Sequence, residues 1–146
     1  MFSREAGSVR PVRVAFGTDE TTVVTDVVVE HLTKEGHDVE VVAAPGWWPD
    51  VGRAVATRVV EGDADVGVVC CWTGTGVSIA ANKVAGARAA LCVDAETARG
   101  ARKWNDANVL ALSLRLTSEP VAREILDAFL STDTDPSEAD AVARLT

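Results

Sequence analysis

Apolar residues along this chain fall into two alternating patterns. Short runs, "VRVAFG" (12–17), "DVEVVA" (38–43), "VGVVCC" (66–71), "RAALCV" (88–93) and "NVLALS" (108–113), are too brief for helices and rich in β-branched or small residues. They predict strands covered on both faces. Between them apolar positions recur every three or four residues. Residues 20–35 carry Val23, Val24, Val27, Val28 and Leu32, a helical face that Gly36 ends. Further helices are expected over 51–62, 76–86, 95–106 and 118–130, the last capped by Ser118 with Pro120 in its first turn. "PGWWPD" (45–50) reads as a loop, and a short final helix starts at Pro136. Strand and helix alternate throughout. The expected class is α/β: a three-layer α/β/α Rossmann-like fold with a five-stranded parallel sheet.

Composition narrows this picture. A chain of 146 residues suits one domain, placed at 12–146 with a helical tail from about 132. The opening "MFSREAGSVRP" (1–11) has no signal-peptide core and is expected to be a disordered leader. A net charge of −8 argues against nucleic acid or anionic membrane as partner. No stretch reaches transmembrane length. The three cysteines, Cys70, Cys71 and Cys92, have neither CxxC nor metal-site spacing. An odd count of this kind fits a reduced, cytoplasmic protein, with no metal and no cofactor expected. Cys70 and Cys71 do not pair, since neighbours on a strand point to opposite faces.

In parallel α/β sheets ligands bind beyond the carboxyl ends of the strands. Here those ends carry Asp19, the Trp47-Trp48 loop, Cys71–Gly76, Asp94 and Ser113–Arg115. "CCWTGTG" (70–76) stands out. Gly74 and Gly76 let the chain turn tightly and present amides at a helix start, a place that favours negative charge. The turn lacks the glycine spacing of dinucleotide folds and a Walker lysine. A phosphate cradle, a redox site, a catalytic cysteine and an ordinary strand-to-helix turn all fit it. His31 and His37 read as solvated surface, Arg99, Arg102 and Lys103 as a solvated helix face, Cys92 as core and Asp94 as a helix cap.

The longer string "CWTGTGVSIAANKVAGARAALCVD", followed by "WNDANVLAL", closely resembles the RpiB/LacAB sugar-phosphate isomerases, and "VAFGTDE" is similar to that family's opening Gly-x-Asp-His. The resemblance runs from about Val12 to Leu130. It implies an aldose–ketose isomerase acting through an enediolate on a small sugar or sugar phosphate. It makes Cys71 the carbon base, Thr73 a residue that orients the thiol or binds a hydroxyl, and Asp19 a group that binds sugar hydroxyls or shuttles their protons. Amides of Gly74, Thr75 and Gly76 would face the oxyanion, and Asn105 would hold the sugar chain. Arg115 matches an arginine that the family carries after strand five. The family builds each pocket from two chains, so a homodimer or a dimer of dimers is expected.

Several ligand positions depart from the family. Glu20 stands for a histidine, Trp104 for the ring-opening histidine, and Trp72 for a glycine. Trp48-Pro49-Asp50 replaces Asp-Tyr-Pro, and Glu138 and Val142 fall where the family holds phosphate with arginines, leaving Arg144 as the tail's cation. Phosphate binds best to bidentate guanidinium groups, and Trp48 and Trp104 suit stacking on a sugar. The implied substrate is therefore small, open-chain or unphosphorylated, and ribose 5-phosphate is expected to be a poor one. The alternative is a non-catalytic sugar-binding or regulatory paralogue.

Overall fold

The computed structural model describes residues 4–5 and 8–145. Two short strands, β1 (Arg4–Glu5) and β2 (Ser8–Val9), pair antiparallel. The remainder of the expected leader up to residue 7 lies outside the described residues. The main sheet contains β3 (Arg13–Thr18), β4 (Asp38–Ala43), β5 (Val66–Cys71), β6 (Ala89–Leu91) and β7 (Val109–Ser113). The helices are α1 (Val23–Lys34), α2 (Trp48–Val60), α3 (Thr75–Asn82), α4 (Ala95–Asn105), α5 (Glu119–Ser131) and α6 (Ala139–Ala143), with one turn of 3-10 helix at Pro136–Glu138. The five strands are all parallel in the order β4-β3-β5-β7-β6. This is the expected three-layer architecture. No helix among the described residues is long and apolar enough to cross a membrane.

Side-chain alternation along the central strands divides the core in two. Phe16, Val68, Cys70, Leu110 and Leu112 face α1, α4 and α5, packing with Val28, Leu32, Ala98, Ile125 and Phe129. Ala15, Val69, Cys71, Val109 and Ala111 face α2 and α3, packing with Val51, Val55, Val77 and Ala81. The second face is lined by small residues, so α2 settles close to the sheet. A Cβ on Gly67 would sit 2.6 Å from Val55 Cγ1. Helices α2 and α3 approach just as closely, since a Cβ on Gly52 would lie 2.6 Å from Ala80 Cβ and 2.8 Å from the Val77 carbonyl oxygen.

Several boundaries and surfaces differ from the sequence reading. Helix α2 begins at Trp48, inside the expected loop, because Pro49 occupies its first turn, where a fixed φ and a missing N–H cost nothing. Helix α3 stops at Asn82, four residues early. The Asn82 amide accepts from Ala89 N–H at 2.8 Å and donates to Ala89 C=O at 2.9 Å, and the strand it meets, β6, is only three residues long. Arg102 is not solvated. It is 1 % exposed, donates to Asp106 Oδ1 at 3.1 Å and to the Ala107 carbonyl, and lies over the Phe129 ring at 5.7 Å. Burial draws its pKa down against the pull of Asp106. His37 is not a surface group either, whereas His31 is partly exposed. His37 is buried, with Nδ1 accepting from Val12 N–H at 3.2 Å, and His31 bonds Asp127 at 2.7 Å. Cys92 is core and Asp94 caps α4, both as expected.

Candidate active site

From β3 the chain leads out to β4 on one side of the sheet and later to β5 on the other, and sheets of this kind hold ligands in the crevice at the carboxyl ends where the order reverses. At the end of β3, buried Thr18 donates to the Glu20 carbonyl at 2.6 Å, and Asp19 N–H donates to the Cys70 carbonyl at 3.2 Å. These bonds fix the turn and place Asp19 beside β5. Asp19 Oδ1 is buried and has no hydrogen-bond partner. Its burial pushes the carboxyl pKa up, against the opposing pull of the Glu20 backbone amide. Glu20, one residue on, is exposed.

Cys71 ends β5 and is 5 % exposed. Its carbonyl accepts from Leu114 N–H at 3.0 Å, and the Trp72 carbonyl accepts from Arg115 N–H at 2.8 Å and from the Ser113 hydroxyl at 3.3 Å. The loop after β5 is thus pinned to the loop after β7, and Arg115 stands at its edge with an exposed side chain. Gly74 then turns the chain with φ +81°, and a Cβ there would lie 2.5 Å from Leu91 Cδ1 and 3.0 Å from the Leu112 carbonyl. Both space and conformation require glycine. Gly74 also caps α3 without a side chain, so the first-turn amides from Thr75 onward have no side-chain cap. The Thr73 and Thr75 hydroxyls bond each other at 2.8 Å in front of that turn.

Trp48 joins this group. A Cβ on Gly76 would lie 2.9 Å from Trp48 Cε3, so the indole rests against the glycine loop while staying 41 % exposed. The other two thiols are set apart. Burial holds the Cys70 thiol far above its usual pKa and pushes Cys92 up to about 12.

Trp104 and Asn105 are not in this crevice within one chain. Helix α4 runs from the carboxyl end of β6 back to the amino end of β7, which carries its last turn to the opposite end of the sheet from Cys71. The Trp104 ring lies on Gly100 of its own helix, with Lys103 Nζ 5.8 Å from the ring centre. Asn105 instead lines a hollow of about 830 Å³ with Asn82, Lys83, Arg88 and Arg144. Arg144 was not among the site residues expected from the sequence, although it was visible as the tail's cation.

The sequence pattern of the family described as Ribose/Galactose Isomerase matches residues 14–145. The chain belongs to this family. Ribose-5-phosphate isomerase B of Escherichia coli (strain K12) is 38 % identical over 125 residues, covering 81 % of this chain and 83 % of that protein. D-erythrulose-4-phosphate isomerase of Pectobacterium atrosepticum is 32 % identical over 126 residues, covering 82 % and 83 %. The crystal structure of a ribose 5-phosphate isomerase from Thermotoga maritima superposes with a TM-score of 0.86 at 33 % identity, covering 93 % of this isomerase and 98 % of that chain. The protein is accordingly a sugar isomerase of the Ribose/Galactose Isomerase family.

Proposed function

We propose that this isomerase interconverts an open-chain aldose phosphate and its ketose, with Cys71 as the carbon base. One observation carries the assignment. Cys71 is the thiol at the carboxyl-end crevice beside an uncapped helix start, while Cys70 and Cys92 are held protonated in the core. From the aldose, the Cys71 thiolate takes the C2 proton. The C–H electron pair becomes the C1=C2 double bond, and the carbonyl pair moves to O1, which gains a proton. Return of a proton to C1 and loss of the O2 proton give the ketose. The amides of Gly74, Thr75 and Gly76 stabilise charge on the enediolate oxygens. Asp19, with its unpartnered oxygen, passes protons among the sugar oxygens, and Thr73 orients the thiol or a hydroxyl.

A pocket that also uses Asn105 needs a second chain, because one chain holds Asn105 and Cys71 at opposite ends of its sheet. In a symmetric dimer the partner would bring Asn105, Lys83 and Arg144 to the Cys71 crevice. These two cations support a phosphorylated substrate despite Glu138 and Val142. Trp104, in place of an imidazole, supports one that needs no ring opening. A four-carbon sugar esterified at O4 meets both conditions, since O4 can no longer close a furanose ring. The test is exchange in heavy water of the proton moved between C1 and C2, read at C1 of erythrulose 4-phosphate and at C2 of ribose 5-phosphate, galactose 6-phosphate and the free aldoses. Exchange is expected to be fastest with the four-carbon phosphate. Exchange with none of them would favour the non-catalytic sugar-binding alternative, and preference for a free sugar would remove the phosphate assignment.

A further inference from the structure

We propose that His31, Glu35 and Asp127 form a binding site for a divalent transition-metal ion of the zinc class, spanning α1 and α5. His31 and Glu35 are one helical turn apart at the carboxyl end of α1, and Asp127 comes from α5. His31 Nε2 lies 2.7 Å from Asp127 Oδ1 and 4.0 Å from Glu35 Oε1, and the three ligand atoms all lie within 4.8 Å of one another. Tetrahedral zinc with bonds of 2.0–2.1 Å sets its donors about 3.3 Å apart. The separations bracket that value, so small carboxylate rotations suffice. Only the histidine is fixed. Its side chain is 12 % exposed, while both carboxylates reach it from solvent and remain free to turn.

A histidine–aspartate pair alone would account for two of the three groups. Glu35 is too far for a hydrogen bond to His31 yet points to the same nitrogen, and it caps the carboxyl end of α1, where the helix dipole already concentrates negative charge. A cation held there relieves that repulsion. A hollow of about 200 Å³ opens against two of the three, His31 and Glu35, and is lined also by Val27, Glu30, Lys34 and Arg123, with room for an ion and its waters. Glu30, Glu35 and Asp127 outnumber Lys34 and Arg123. The mix of imidazole and carboxylate selects zinc, cobalt or nickel over magnesium or calcium. The site lies on the sheet face opposite the one Cys71 points to, so it clamps two helices and leaves the catalytic crevice alone.

Protein stripped with a chelator and titrated calorimetrically with Zn²⁺ at pH 7.5 should bind about one ion per chain in the micromolar range or tighter. Its Tm should rise by roughly 5–10 °C at about hundredfold excess over Kd. Glu35→Gln and Asp127→Asn, both at exposed positions, should each weaken binding about tenfold or more. His31→Gln should abolish it, while Cys71→Ser should leave it unchanged. Absence of saturable binding at millimolar Zn²⁺ would overturn the site. So would binding undiminished in Glu35→Gln and Asp127→Asn, or binding that disappears with Cys71→Ser.

Discussion

Cys70 and Cys71 are joined by one peptide bond yet belong to different halves of the core, Cys70 among the α1, α4 and α5 residues and Cys71 among those of α2 and α3. Cys71→Ser should keep the native circular dichroism and lower kcat by about a thousandfold or more, since a hydroxyl is a much weaker carbon base at neutral pH. Cys70→Ala should leave kcat near wild type and cost about 1–2 kcal/mol in a urea melt through the small cavity it opens. Asp19 makes a different prediction. Its folded pKa is raised, so the folded chain holds that proton more tightly than the unfolded chain. The stability this contributes is complete below the unfolded value near 3.9 and is lost as pH rises through the folded pKa. Asp19→Asn should therefore be more stable than wild type at pH 7, the gap should close towards pH 4, and activity should fall. Urea melts at the two pH values check the sign. At this scale strand ends and turn chemistry located the thiol, the aspartate and the glycines, while their roles came from the family resemblance. Arg102 could not, because charge on a helix usually means solvent. Its burial depends on Asp106 and on Phe129 of another helix, a contact no local pattern announces.

Local signals located every strand of the main sheet and the helices that cover it, but misplaced the starts of α1 and α2 and the end of α3. Trp48-Pro49-Asp50 reads as a loop because proline interrupts most helices, yet it is the first turn of α2. The end of α3 is set by Asn82 reaching β6, a contact made across the chain. The packing of α2 on α3 depends on one missing side chain. Gly52→Ala would push a methyl group into the Val77 carbonyl and Ala80, so α3 must move away. A loss of about 1–3 kcal/mol is expected from such overpacking. Since α3 begins at the glycine loop, kcat should drop as well, with the denaturation midpoint and the steady-state rate measured on one preparation.

For the whole molecule, alternating patterns revealed the layers and the parallel sheet, but strand order and the location of α4's last turn depend on long-range pairing that a single sequence does not display. That last turn is why two of the expected site residues, Trp104 and Asn105, lie far from the thiol. If two chains build each site, Cys71→Ala and Asn105→Ala subunits, each inactive alone, should regain about a quarter of wild-type activity after mixed refolding, because half the dimers are mixed and each holds one intact site. The exposed Trp48 and Ile79, around a hollow of about 380 Å³ shared with Pro49, Arg53 and Val84, offer apolar surface for such a partner. The sheet's two margins bear on solubility. A free edge strand invites pairing with any other chain. On one side β4 presents Asp38 and Glu40, the latter gripped by Arg58 at 2.7 Å. On the other, the Asn82 amide occupies both outward-facing groups of Ala89 as a neighbouring strand would. Asn82 is thus a plug against cross-β aggregation. Asn82→Ala should leave the fold in place but raise light scattering on concentrated storage, with thioflavin binding to mark strand-to-strand growth.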